Sequence, residues 1–307
     1  MAAGSYVAGS TPMGGGTVGF PILVLLFHQS PELGRDFSFA VQSIGMTSAS
    51  IFILSRRQPV EWPMLGPALL GTLLGTPLGI LFVAPHVDGL VIKLLFAVIW
   101  ASFGILHLYR TRDLVRVNGL VFSAPRFDRI VGFGLGLLAG MTIAAITGVG
   151  IDMVIYAVLV LLRRADLKIA IPTSVILMAV TSLVGIGFKS FMGGVQPGVY
   201  ENWLAAAPIV ALGAPLGAYV VNVIGRAPTL YFVSVLCLGQ FFWTVQDEWQ
   251  RLGLQGLALT LIGVVLFNLI LEWFYRLGRT NSVSNIEQIT HQLDAQQREP
   301  GIQNWAD

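Results

Sequence analysis

The sequence predicts an all-α polytopic membrane protein with two internal repeats of transmembrane helices. Charged residues make up 11% of the 307 residues and apolar residues 55%, whereas about a quarter of a soluble domain is charged. A soluble fold of this size would leave much of that apolar surface in water, so we expect lipid to be the solvent. The repeat is visible as a duplicated phrase, TLLGTPLG at 72–79 and VALGAPLG at 210–217.

Apolar runs of membrane-spanning length define the ordinary helices. Crossing the roughly 30 Å of hydrocarbon in a bilayer takes about 20 residues. Gly and Pro are frequent within these runs, which is typical of membrane helices. The predicted spans are 37–55, 64–84, 90–109, 169–188, 203–224, 229–245 and 254–275.

Two further apolar stretches, 4–28 and 130–162, each contain a glycine cluster in mid-course. The clusters are Gly14-Gly15-Gly16 and Gly148-Val149-Gly150. Glycine is a poor helix former and permits positive φ, so we predict that both stretches are broken or form hairpins. They bring the total to about eight or nine membrane segments. The short stretch before the first cluster leaves two alternatives open, a half-length first helix or a chain that begins upstream of Met1.

The basic residues of the loops bear on the course of 130–162. With a single crossing they divide about evenly between the two sides of the membrane, whereas a hairpin gathers most of them on one side, as the positive-inside rule requires. The hairpin also inverts the second repeat relative to the first, which is a common transporter design. With this topology we predict a multi-pass protein of the cell (inner) membrane. Its parts are a first repeat over 1–109, a cytoplasmic linker over 110–129, a second repeat over 130–250, an extra transmembrane helix over 251–276 and a polar cytoplasmic tail over 277–307.

Composition argues against several other classes of function. The net charge is only +2 and the basic residues lie in loops, which disfavours nucleic-acid binding. Cys237 is the single cysteine and the four histidines are scattered, so neither a redox pair nor a metal site is expected. No HExxH, GxSxG or P-loop motif occurs. We therefore expect neither an enzyme nor a cofactor.

The glycine clusters are the first candidates for substrate binding. A break at membrane depth exposes backbone N–H groups, and the start of a helix carries partial positive charge that favours an anion. Close packing of helices through small residues is the alternative explanation, and it stays open. The candidate residues are Gly14, Gly15, Gly16, Thr147, Gly148 and Gly150.

Polar side chains follow each broken segment and form a second group of candidates. Hydroxyl and amide groups can replace the hydration of an anion in the membrane. The alternative is that they bond to carbonyls of their own helix or hold neighbouring helices together. These candidates are Gln42, Ser43 and Thr47 in the first half and Thr173 and Ser174 in the second.

Asp152 is the candidate coupling residue. It lies two residues after Gly150, within hydrocarbon depth if 130–162 forms a hairpin. A carboxylate in the membrane is costly, so by default it indicates function, here the binding of a proton that moves with the substrate. The alternative is a helix cap, because Asp is favourable at a helix N-terminus.

The chain resembles the sulfite exporter TauE/SafE family, also called the TSUP family of membrane transporters. The resemblance rests on the segment from Gly14 to Pro21, on the Ala-to-Ser segments 40–43 and 170–174, and on GTPLG and GAPLG at 75–79 and 213–217. It covers about residues 5–275. The first helix is shorter than is usual in the family, and Asp152 is not a recognised family feature. The resemblance implies export or uptake of sulfur-containing anions.

Together these observations favour a secondary transporter of a small anion, with a sulfur oxyanion or organosulfonate as the substrate that the resemblance implies. The expected partners are membrane lipids, the anion and, through Asp152, a proton. Exposed small-residue faces allow a homodimer without requiring one. A channel-like pore and a non-transporting membrane scaffold are the two alternatives.

Overall fold

The structure is a computed structural model, and it describes the backbone of residues 2–117, 119 and 125–298. These residues are helical almost throughout, with no regular strand among them. Eight of the described helices are long and apolar enough to cross a membrane. The predicted all-α polytopic fold is therefore confirmed.

The first repeat begins with a broken segment and continues with three long helices. The break separates α1 from α2, and a π-helical turn over Ile22–Leu26 extends α2. Ser30 caps the next helix by accepting the Leu33 N–H at 3.1 Å, and Asp88 caps the last by accepting the Leu90 N–H at 2.8 Å. The elements are α1 (Ala2–Ser10), α2 (Gly16–Pro21), α3 (Pro31–Ser55), α4 (Trp62–Phe82) and α5 (Gly89–Val115).

The second repeat has the same order of elements. Its broken segment has a π-helical turn on each side of the break, over Gly140–Ala144 and Val158–Leu162. Gly148 and Gly150 have φ of +78° and +95°, so the predicted break is confirmed at these residues. The elements are α6 (Pro125–Ala139), α7 (Ala145–Thr147), α8 (Ile151–Ala157), α9 (Leu167–Phe191), α10 (Val199–Ile224) and α11 (Arg226–Asp247).

The two repeats pack by exchanging corresponding helices. Helix α4 of the first repeat packs against α6 of the second, and α10 of the second packs against α1 of the first. Corresponding helices of the two repeats also pack on each other, α3 on α9 and α5 on α11, and further contacts join α3 to α10 and α4 to α9. A pseudo-symmetric core results, with the two broken segments inside it.

The duplicated phrase lies where these exchanged helices cross. A Cβ on Gly75 or Gly79 of α4 would collide with the backbone of Leu137 or Met141. A Cβ on Gly217 of α10 would collide with the backbone of Tyr6. Both copies thus permit close approach of the other repeat's broken segment, as glycine does in membrane helix pairs.

The last helix, α12 (Trp249–Arg298), packs outside the repeats against α5 and bends at Gly253. In its apolar part only 17% of residues are buried, so this part of the helix faces lipid. The helix continues to 298 and so includes most of the predicted tail over 277–307. Residues 299–307 lie outside the described residues.

Candidate functional site

The two glycine breaks pack against each other and against one turn of α3. A Cβ on Gly16 would collide with the side chain of Val149 and touch Ser38. A Cβ on Gly148 would collide with the carbonyl group of Arg35 and also meet Ser38. Clusters 134 residues apart in sequence therefore meet at a single place in the fold.

Gln42 on α3 bridges the breaks. Its Nε2 donates to the carbonyl oxygens of Ser38 at 3.1 Å and Gly148 at 3.2 Å. Its Oε1 is buried without a hydrogen-bond partner among the described residues. Gly14 lies against this oxygen, and the Cβ of any other residue at position 14 would collide with the oxygen. Gln42 therefore fixes the second break through its donors and leaves an acceptor facing the first.

Asp152 caps a helix with one carboxyl oxygen and leaves the other oxygen without a partner among the described residues. Its Oδ1 accepts the N–H groups of Gly150 and Met153, each at 3.1 Å, and so caps the helix after the break. Its Oδ2 is buried with no hydrogen-bond partner among the described residues. A Cβ on Gly14 would lie 3.4 Å from that oxygen. The free oxygens of Asp152 and Gln42 thus both lie close to the Cβ position of the same glycine.

Helix α5 supplies an aromatic wall beside both breaks. The Trp100 Nε1 donates to Thr17 Oγ1 at 2.8 Å, and Thr17 in turn donates to the Met13 carbonyl. The same indole ring lies beside Gly150. Phe96 stacks on Trp100 with ring centroids 3.9 Å apart. These fully buried rings exclude water from one side of the site.

A buried histidine–tyrosine pair continues this wall along α5. His107 Nδ1 lies 2.9 Å from the Phe103 carbonyl oxygen, which can only accept, so Nδ1 carries the proton. Nε2 then accepts from the Tyr156 hydroxyl at 2.9 Å. Tyr156 follows Asp152 by four residues in the helical segment Ile151–Leu162 and therefore lies on the same face. The pair is a polar contact that sequence analysis did not identify.

Several predicted site residues bond within their own segment. Ser43 and Ser174 donate to the carbonyls of Ala40 and Ile171, each at 2.8 Å. The Thr147 hydroxyl lies 2.7 Å from the Ile143 carbonyl oxygen and 2.9 Å from that of Val149, and so stabilises the break. For these three residues the structure shows bonds to nearby backbone, as in the alternative explanation.

The other predicted residues differ in their surroundings. The Thr47 hydroxyl is buried without a partner among the described residues. Gly15 faces α1, where a Cβ would be 3.6 Å from Ala8 Cβ. The Thr173 hydroxyl accepts the Glu61 N–H at 3.0 Å, so it contacts the turn between α3 and α4 rather than a break.

One charged cluster, the Asp36 cluster, lies where α3 begins and α9 ends. The fully buried Asp36 accepts from Arg35 Nε at 3.1 Å and Lys189 Nζ at 2.6 Å through Oδ1. Its Oδ2 accepts the Gln196 N–H at 3.1 Å. These charges were not identified from the sequence, because Asp36 and Lys189 lie 153 residues apart and at span ends.

A second charged cluster, the Asp128 cluster, lies where α6 begins and the segment after the break ends. Asp128 Oδ2 accepts from Arg163 at 2.7 Å, and both side chains are 1% exposed. Glu61 lies nearby, and burial followed by repulsion from Asp128 raises the pKa of its carboxyl, while Arg163 partly offsets the rise. The Asp128–Arg163 pair brings the two ends of the broken segment together, as a hairpin over 130–162 requires.

The fold and this site define a class of protein. The protein has two repeats of transmembrane helices, and each contains a broken segment. The broken segments meet at a polar site in the interior, which is the architecture of membrane transporters. The chain belongs to the sulfite exporter TauE/SafE family, whose profile matches residues 1–242. Family membership implies a membrane transporter of sulfur anions. No curated protein and no solved structure significantly matches the chain.

Proposed function

We propose that the protein is a secondary transporter of a sulfur oxyanion or organosulfonate, with a site between the two glycine breaks. The observation that carries this proposal is the contact between the two breaks, where the oxygens of Gln42 and Asp152 that have no partner among the described residues both lie close to Gly14. A buried unsatisfied oxygen costs about 1–3 kcal/mol, so two at one place favour a functional role over a packing role.

Proton coupling follows from the chemistry of these oxygens. The free atoms of Gln42 and Asp152 are both acceptors as long as the carboxyl is ionised, and two acceptors repel an anion. A protonated Asp152 can donate instead, either to Gln42 Oε1 or to the substrate. Protonation also weakens the hydrogen bonds that the Gly150 and Met153 N–H groups donate to Oδ1. These N–H groups can then donate to the anion instead. We therefore expect the proton and the anion to bind in the same transport cycle.

Alternating access is the mechanism that the architecture supports. The Asp36 and Asp128 clusters lie at opposite ends of α9, since Lys189 is near its last residue and Thr173, which contacts Glu61, is near its first. In the proposed cycle an inverted pair of repeats rocks about the breaks and separates one cluster at a time. The Asp128 face, which carries most of the loop arginines, is the proposed cytoplasmic side.

Flux into proteoliposomes tests this proposal. Sulfite, thiosulfate, sulfoacetate, taurine and sulfate would each be offered with and without a pH gradient. We expect saturable uptake of at least one sulfur anion, accelerated by the gradient. Asp152→Asn should retain some flux but lose its acceleration by the pH gradient, because a side-chain amide does not bind and release a proton as a carboxyl group does.

Two other outcomes would identify the alternatives. Flux that does not saturate at millimolar substrate and ignores the gradient would indicate a channel-like pore. No flux of any anion through folded protein would favour a membrane scaffold, whose partner should then co-purify. Equal gradient dependence in the wild type and Asp152→Asn would remove Asp152 as the coupling residue while leaving transport in place.

A further inference from the structure

A cavity of about 380 Å³ opens at the Asp36 cluster, between the start of α3 and the ends of α4 and α9. Its wall includes Arg35 and Lys189, together with Glu32 at the rim. We propose that this cavity is an anion-binding vestibule, a second site outside the glycine breaks, with Arg35 as its main ligand. As an entry site for the transported substrate, the vestibule rests on the proposed function.

Arg35 is the residue that carries the inference. Its side chain is 8% exposed, and its only ion pair among the described residues is from Nε to Asp36. The two terminal nitrogens of the guanidinium group therefore have no acceptor in the described part of the chain, although they belong to a cavity wall. A planar guanidinium group with free parallel N–H donors matches two of the three oxygens of a sulfonate.

Asp36 positions the two cations without neutralising the donors of Arg35. It is fully buried and accepts Lys189 Nζ and the Gln196 N–H in addition to Arg35 Nε, so both of its oxygens are occupied. Glu32 at the rim balances the formal charge of the cluster. An anion would therefore be held by directed hydrogen bonds from Arg35 rather than by an excess of positive charge.

The other wall of the cavity indicates the class of anion. It is apolar and consists of side chains from the end of α4, the following turn and the end of α9. A wall of this kind can bury a short hydrocarbon group while Arg35 binds the charged end. We infer an organic oxyanion such as an alkanesulfonate. The apolar residues are Ile80, Leu81, Ala84, Val87, Phe188 and Met192.

The vestibule and the breaks share a turn of α3. The carbonyl of Arg35 packs against Gly148, and Ser38, one turn further on, contacts both Gly16 and Gly148. The backbone of Arg35, whose side chain would bind the anion, therefore touches the first residue of the second break. If anion binding in the vestibule moves this turn of α3, the packing of the two breaks against the turn changes as well.

Binding of ethanesulfonate to the purified protein tests the vestibule independently of transport. Stabilisation against thermal unfolding would be titrated in phosphatidylcholine nanodiscs for the wild type, Arg35→Gln and Arg35→Lys. We expect Arg35→Gln to raise the apparent Kd about tenfold, the effect of losing one charged hydrogen bond. Arg35→Lys should recover part of the affinity. Arg251→Gln is the control, because its side chain is 72% exposed and it makes the same change of charge.

The outcomes separate the vestibule from the transport proposal and from a lipid site. Arg35-dependent binding without any flux in the wild type would support an anion site and reject transport. Normal flux with unchanged Kd and KM in Arg35→Gln would reject the vestibule and retain transport. Stabilisation by phosphatidylglycerol nanodiscs alone, with no response to ethanesulfonate, would identify a lipid headgroup and overturn the inference of a soluble anion.

Discussion

At the scale of single residues, Asp152 is both a helix cap and a carboxyl group with a free oxygen. The cap uses only Oδ1, which accepts two backbone N–H groups. A residue retained only as a cap could equally be Ser or Asn, which satisfy the same donors without placing a charge in the membrane. The second oxygen, buried beside Gly14 and Gln42, is the feature that a Ser or Asn cap would not supply, because only a carboxyl group can bind a proton there.

The two neighbouring glycines of the first cluster should respond differently to the same substitution. Gly14 has φ of +68°, and a Cβ there would collide with Gln42 Oε1, whereas Gly15 has φ of −69° and only ordinary contacts. Gly14→Ala should therefore cost about 1–2 kcal/mol in backbone conformation, displace Gln42 and abolish flux. Gly15→Ala should transport normally.

Flux and thermal unfolding of both variants would be measured in the same lipid. Gly15→Ala serves as the matched control, since it adds the same methyl group one residue away. Normal transport by Gly14→Ala would mean that Gln42 and Gly14 do not form the site. Loss of flux in both variants would place the constraint on the whole cluster rather than on its contact with Gln42.

The sequence was sufficient to locate the breaks but not their partners. Glycine clusters and a carboxylate inside apolar runs are conspicuous because each is unfavourable in a membrane helix. The contact between Gln42 and Gly148 joins residues 106 positions apart, and such contacts depend on tertiary packing that local pattern does not encode. Thr173 illustrates the limit, since its position after the second break did not place it beside that break.

At the scale of helices, the crossing of α4 and α6 is held by two rows of glycine. Gly71, Gly75 and Gly79 follow each other at intervals of four residues on α4. Gly132 and Gly136 of α6 and Gly140, the first residue of the π-helical turn after it, have the same spacing. Residues four apart lie on one helix face, so each row forms a continuous groove for the other backbone. The phrase at 72–79 is recognisable in the sequence as a repeat, whereas its partner row is not, because a glycine row does not specify its partner.

Gly136→Ile should destabilise the protein, and Gly134→Ile on the same helix should not. A Cβ on Gly136 would collide with the Ala68 carbonyl, whereas nothing lies within 4 Å of a Cβ on Gly134. We expect the Gly136 variant to lose at least about 1–3 kcal/mol, because the two backbones must separate. Thermal unfolding in detergent would measure the difference between the two. Equal stability of both variants would mean that the α4–α6 contact is looser than the structure describes.

At the scale of the whole molecule, α1 and α6 each pack against the opposite repeat, so both repeats contribute helices to one core. Each broken segment packs on a long helix of the opposite repeat. A movement of one half therefore displaces the break of the other, which is the mechanical requirement for alternating access. The order of elements and the repeat could be predicted from the sequence. The exchange could not, because it depends on which of several similar apolar faces pair.

The proposed inversion of the repeats predicts which loops share a side of the membrane. If 130–162 forms a hairpin, the turn after α3 and the start of α9 lie on the same side, in agreement with the Glu61–Thr173 and Asp128–Arg163 contacts. A single crossing would place them on opposite sides. Single cysteines at Ser55 and Lys168, both exposed, should therefore share one labelling pattern.

Membrane-impermeant maleimide applied to right-side-out and inside-out vesicles distinguishes the two topologies. Cysteines at Gln29 and Met192, exposed near the Asp36 cluster, should be labelled from outside, and those at Ser55 and Lys168 only from inside. Cys237 is fully buried and gives little background, and its replacement by Ala provides the control. Labelling of Ser55 and Lys168 from opposite sides would exclude the hairpin, and alternating access through inverted repeats would fall with it.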